Sequence, residues 1–321
     1  LKDLRLLKKL IRPLIAAFLL FLLFRTGLIK LDQLKQSVQN TTLMLSGFIL
    51  IGANLMFFGY RWKTILVFYK NIPFIQIMRL NLISQFFNIF IPGGVGGDVV
   101  KALELSKSDN IPRQKTIASV IVDRVLGLYC MILFSTLFLF LKCGESITLQ
   151  KYFYTSLFML IVATVGLYYM ERITEISNTF STKLNSKILS KITSLLKTIS
   201  DGFKTVSNKK TFSIIILTSF MAQIMSVTFL YMVLKSIVPE PPSPFLFFPL
   251  ACFAFMASAV PLTPGGIGFG QTAFYFIFSF FGTEIANAAV IGVSLMQLFS
   301  IIFSLPGAYF FTKIPKENKL A

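Results

Sequence analysis

Apolar residues in this chain fall into long uninterrupted blocks, and between them lie short basic segments. That arrangement constrains the fold more than any other feature. A helix rises about 1.5 Å per residue and a bilayer core is about 30 Å thick, so blocks of this length read as spanning helices. Six qualify: Pro13–Ile29, Leu43–Tyr60, Ile117–Leu141, Tyr152–Met170, Thr211–Leu234 and Ile285–Phe311. Leu14–Phe24 is followed by Arg25 rather than a small-residue cleavage site, so the first block reads as a span and not as a cleavable signal. Of the 321 residues, 55% are hydrophobic, more than a soluble domain of this size carries. The expectation is one polytopic all-α membrane domain over residues 1–321.

Two further apolar stretches are too short or too broken to cross. Leu80–Pro92 ends in Pro92-Gly93-Gly94-Val95-Gly96-Gly97-Asp98, and a polar helical stretch then runs to about Lys107. Phe245–Leu262 ends in Pro264-Gly265-Gly266-Ile267-Gly268-Phe269-Gly270, with a second short leg at Thr272–Phe281. Both read as re-entrant Gly-rich hairpins. Three full spans separate them, so they enter from opposite faces. Paired broken segments of opposed orientation point to an inverted repeat with a site near the midplane. The plainer reading is two unrelated helix kinks.

The formal net charge is +18, which in a soluble protein would raise nucleic acid as a partner. Here the lysines and arginines lie between apolar blocks, and the expected partners are instead membrane lipids, anionic phospholipid above all. The positive-inside rule puts both termini in the cytoplasm of a cytoplasmic (inner) membrane protein. All the strongly basic segments then fall on one side. Among them is 172–210, where apolar residues recur every three or four positions between lysines, as in a basic amphipathic helix lying on a leaflet. A helical hairpin or an intracellular packing helix is the alternative.

Candidate chemistry is sparse. There is no histidine, and Cys130, Cys143 and Cys252 are too scattered for a metal site or disulfide framework. No nucleotide-binding motif and no nucleophile–base constellation is present, so no cofactor is expected and the balance tips against catalysis, with carboxylate or metal chemistry left as the enzymatic alternative. Glycine turns that open into helices expose N–H groups to anions, as at Gly96-Gly97 before Asp98 and Lys101, and at Gly268 before Gln271. A tight packed turn with Asp98 as its N-cap explains the same residues. Asp123 and Arg124 lie about 10 Å inside a span, where charge is expensive and generally serves a cavity or a partner. Arg124 is a candidate phosphate ligand, and Asp123 a candidate partner for Lys101 or Arg79. A structural ion pair locking the span to the first hairpin is the alternative.

These residues carry a family likeness. Arg61-Trp62, Asn88, the Pro92–Asp98 turn with Lys101, Asp123-Arg124 with Gly127-Leu128, and Pro264–Gly268 together resemble the flippase-like membrane domain of lysylphosphatidylglycerol synthases. The resemblance implies a headgroup site built from Asn88, Gly93, Gly94, Gly96, Gly97, Asp98, Lys101, Asp123, Arg124, Gly265, Gly266, Gly268 and Gln271. In that family a soluble domain aminoacylates phosphatidylglycerol and the membrane domain is assigned movement of the product between leaflets. Only a short lysine-bearing tail follows Phe311, so the implied activity is lipid translocation rather than phosphatidylglycerol lysyltransferase chemistry. A lipid-modifying enzyme, or a membrane subunit for a separately encoded synthase or glycosyltransferase, is the rival. The family commonly has an acidic residue where Gln271 stands, which argues against a cationic headgroup at that hairpin.

Overall fold

The computed structural model describes residues 31–90, 96–170, 172, 174–176, 187–206, 208–260 and 262–312. The expected first span, Pro13–Ile29, and Gly93-Gly94 of the first turn lie outside them. The described residues form helices and turns, with no strand among them. In chain order the helices are α1 (Leu31–Gln39), α2 (Thr41–Leu66), α3 (Phe74–Phe90), α4 (Gly96–Asp109), α5 (Arg113–Phe140), α6 (Ile147–Tyr168), α7 (Lys187–Val206), α8 (Lys209–Ile237), α9 (Pro244–Ser258), α10 (Phe269–Phe278) and α11 (Thr283–Thr312). Among the described residues, five helices are long and apolar enough to cross a membrane: α2, α5, α6, α8 and α11.

Several boundaries differ from the expectation, each for a local reason. Asn40 caps α2 by accepting from the Leu43 N–H, so that helix starts at Thr41. Its far end runs past the charged triplet at 61–63 to Leu66, because Arg61 and Trp62 face into the bundle and are buried. Helix α3 begins at Phe74, earlier than Leu80. Its polar first turns are held by Gln76, which donates to Asp109, and Arg79, which donates to the Phe310 carbonyl. The basic segment at 172–210 is not one helix to its end. Asn208 accepts from the Lys210 N–H and starts α8, so Lys209 and Lys210 belong to the next span. Residues 177–186 of that segment lie outside the described residues.

Packing brings two groups of four helices together. Helices α2 and α8 run antiparallel: Gly47 faces Phe229, and Asn54 donates to the Ala222 carbonyl and the Ser226 hydroxyl, both at 2.8 Å. The first leg of each hairpin then packs against the span that follows the other hairpin, α3 on α11 and α9 on α5. Pro264 lies 172 residues after Pro92. The same shift carries α2, α3, α4 and α5 onto α8, α9, α10 with its following turn Ser279–Phe281, and α11, every boundary within four residues. The contacts repeat likewise: α3 with α4 as α9 with α10, and α4 with α5 as α10 with α11. Trp62, Ile77 and Leu105 fill the space around the first hairpin, and Phe247, Phe274 and Phe278 fill it around the second. Helix α6 packs chiefly on α5 and leaves Tyr154, Phe158 and Ile161 exposed, as a lipid-facing surface would.

The first hairpin closes through a glycine contact. A Cβ at Gly97 would lie 1.8 Å from the Ser84 carbonyl oxygen, so the two legs meet at backbone distance. The Gly97 N–H donates to Asn88 Oδ1 at 2.9 Å across the same seam. Gly97→Ala is expected to prise the legs apart and destabilise the protein by about 1–3 kcal/mol or more, as overpacking does. Gly166→Ala, with open space around the new methyl, is the matched control. Thermal unfolding in detergent should show a clear drop for the first and none for the second.

Candidate functional site

Five ionisable side chains from α2, α4 and α5 converge behind the first hairpin. Arg61 lies one helical turn and a half from the end of α2, and Asp123 lies inside α5. The Arg61 guanidinium grips Asp123 in a two-point pair, Nε to Oδ1 at 2.8 Å and Nη2 to Oδ2 at 3.1 Å. Its third nitrogen donates to Ser219 of α8 at 3.3 Å, and the group lies over the Phe58 ring. Both residues are buried. A Cβ on Gly127 would come within 2.9 Å of the Arg61 Nη1, so the glycine makes the room that the guanidinium occupies.

The second pair joins the hairpin to α5. Asp98, in the first turn of α4, accepts from Arg124 Nε through Oδ2, while Oδ1 accepts from Ser84 at 3.1 Å and lies 3.4 Å from the Lys101 ammonium. Lys101 is buried as well, over the Trp62 ring at 4.5 Å and beside Asn81. Trp62 is itself fixed by donating from Nε1 to Ser119. The Arg124 side chain is different: 40% of it is exposed. Three cations face two carboxylates, which leaves this cluster with one net positive charge.

Two cavities flank the cluster and share Phe58, Arg61, Asn88 and Arg124 in their walls. The smaller, about 310 Å³, is lined by the five charged groups with Asn81, Ser84 and Gln85. The larger, about 470 Å³, reaches across to the second hairpin, where Thr263, Gly265 and Gly266 form its far wall with Ser258 and Gln297. Gly265 and Gly266 have φ of 58° and 71°, a turn that side chains resist, and this lets the backbone border the space.

The expected site residues are thus partly brought together. Asn88, Asp98, Lys101, Asp123 and Arg124 border the smaller cavity, and Asn88, Arg124, Gly265 and Gly266 the larger. Gly96, Gly97, Gly268 and Gln271 border neither. Gln271 is buried, accepts from the Gly268 N–H at 2.8 Å and donates to Gln297 at 2.6 Å, so it holds the second turn in shape. The partner of Asp123 is Arg61, not Lys101 or Arg79. Arg124 with Asp98 is the pair that ties the span to the hairpin. Arg61, Gln85 and Thr263 are additions to the expected site; for Arg61 the available signals were a cation directly following an apolar block and its place in the family likeness.

Helix content, span lengths and a charged cluster inside the bundle define a multi-pass helical membrane protein. The chain matches the family model for the lysylphosphatidylglycerol synthase TM region over residues 9–307, and it belongs to that family. No curated protein and no solved structure matches it.

Removing one member of a buried ion pair strands the other, at about 3–5 kcal/mol, whereas replacing both with apolar groups is far milder. Asp123→Leu alone should therefore lower the thermal midpoint sharply, and Arg61→Met with Asp123→Leu should recover most of the loss. Equal losses in the single and double variants would show that the pair is not coupled.

Proposed function

We propose that this protein moves a polar phospholipid or lipid-linked headgroup between the leaflets of the cytoplasmic membrane. The observation that carries the reading is a pair of adjoining cavities, the smaller lined by the charged cluster and the larger, lined by residues of both Gly-broken hairpins, apolar along much of its wall. Such a space suits an amphiphile. A phosphate gains a charge-assisted hydrogen bond from Arg124, and the apolar wall from Phe58, Met131 and Phe255 accompanies the chain region. Arg124 suits the role because its side chain is the most accessible of the cluster's cations, while Arg61 is held on Asp123.

The repeated helix order supports the mechanism. With α2 and α8 antiparallel, the two four-helix groups lie inverted across the membrane, and the two hairpins dip from opposite faces. If Pro13–Ile29 spans as the sequence leads one to expect, the spans number six and both termini fall in the cytoplasm. Movement of one group against the other would then present the cavity to each leaflet in turn. In this arrangement α7, with Lys197 and Lys204 exposed, lies at the cytoplasmic surface against anionic lipid.

The test is leaflet exchange of a fluorescent anionic phospholipid in proteoliposomes, read by quenching from outside. Wild-type protein should speed exchange over empty vesicles. Arg124→Gln should reduce that rate by about tenfold or more, the scale of one lost charge-assisted contact. Exchange no faster than in empty vesicles, for folded wild-type protein, would overturn the proposal.

A further inference from the structure

The walls of the larger cavity are uneven in a way that bears on which headgroup it takes. Arg61 and Arg124 supply its charge, and the polar side chains that share its lining include the uncharged Thr263, Ser258, Gln297 and Ser300. No aspartate or glutamate lines this cavity. The two carboxylates of the adjoining cavity are already engaged at both oxygens, Asp123 by Arg61 and Asp98 by Arg124, Ser84 and Lys101. Any ammonium placed here meets two guanidinium groups and no open carboxylate, an arrangement that opposes it.

Two residues in the walls of these cavities, one in each, carry a buried side-chain oxygen without a partner. The Thr263 hydroxyl belongs to a residue only 1% exposed and makes no hydrogen bond, and Gln85 Oε1 is likewise unpartnered in the adjoining cavity. A buried oxygen left so is destabilising by about 1–3 kcal/mol, and native proteins generally satisfy such groups. Both accept hydrogen bonds, and a neutral hydroxyl is the donor that brings no further positive charge.

We infer that the cavity selects an anionic phosphodiester lipid whose headgroup ends in uncharged hydroxyls, and discriminates against headgroups that carry an ammonium. This rests on the headgroup reading of the cavity given above and narrows its substrate class. The phosphate sits at Arg124, and the hydroxyls reach Thr263 and Gln85. Gln271 fits the same pattern: the second hairpin carries a neutral amide, turned inward, and offers no acid for a cationic headgroup.

The test is equilibrium binding, which needs no transport. Purified full-length chain in neutral-lipid nanodiscs is loaded with fluorescent phosphatidylglycerol. Competitors are phosphatidylglycerol, phosphatidylinositol, phosphatidic acid and lysylphosphatidylglycerol. Phosphatidylglycerol or phosphatidylinositol should displace the probe at concentrations about tenfold lower than lysylphosphatidylglycerol; which of the two is tighter tells glycerol from a ring polyol. Thr263→Val should weaken phosphatidylglycerol about tenfold and leave phosphatidic acid unchanged, while Thr263→Ser keeps wild-type binding. If Thr263→Val does not fold, Gln85→Leu gives the same comparison. Lysylphosphatidylglycerol binding as tightly as phosphatidylglycerol, or an equal loss for phosphatidic acid, would overturn the inference. A protein that ranks headgroups as stated but exchanges none would keep it and overturn translocation instead.

Discussion

The contact on which the site depends is the buried pair between Arg61 and Asp123. It joins α2 to α5 deep in the bundle, and through Ser219 it reaches α8 as well. A guanidinium in such surroundings is tolerable only with its charge matched and its donors used. Three features answer that demand together: two-point contact with one carboxylate, a hydroxyl on the third nitrogen, and the space left by Gly127. With Asp123 engaged, Asp98 is the carboxylate left to face Arg124 and Lys101. The cluster therefore has a fixed pair and a more accessible one, whose Arg124 borders both cavities, as does Arg61.

The repeat sharpens this division. The shift that relates the two four-helix groups takes Arg61 to Val233, Asp98 to Gly270, Lys101 to Ala273, Asp123 to Leu295 and Arg124 to Met296. None of the five charges has a charged counterpart. Where the first group holds ion pairs, the second holds a neutral network of Gln271, Gln297 and Ser294. One backbone plan thus supports two chemistries, a cationic cluster and an uncharged polar network, and the larger cavity is bordered by both, through Arg61 and Arg124 on one side of the repeat and Gln297 on the other. Helix packing accounts for the shared plan, since small residues at Gly47, Gly97 and Gly307 let helices approach closely whatever the cavity contains.

Much of this is legible in the residues, and the rest is hidden for definite reasons. Span existence follows from apolar length, because lipid leaves helices few alternatives. The two broken segments are visible because Pro-Gly-Gly turns stop a helix and positive φ at Gly265, Gly266 and Gly268 needs glycine. Ends are harder. Reading 61–63 as an interface stop treats Arg61 as solvated, when its solvation comes from Asp123, distant in sequence and adjacent in space. The early start of α3 hides for the same reason, as Arg79 and Gln76 are satisfied by Phe310 and Asp109 from other helices. Intramembrane charge marks Asp123 and Arg124 as important without revealing which cation each carboxylate meets. The Asn208 stop was present as an N-cap residue inside a lysine-rich run, where periodicity alone carries the helix too far.

The central claim is that a lipid headgroup occupies the space between the two hairpins. It is tested most directly by a phospholipid with a photoreactive group in its headgroup, incorporated with the protein into bilayers, irradiated, and mapped by peptide mass spectrometry. The account predicts adducts on both sides of the cavity, in the α5 segment around Arg124 and in the 258–266 segment of the second hairpin, with both lost when unlabelled lipid is added in excess. Adducts confined to the exposed face of α6, unchanged by competitor, would contradict it.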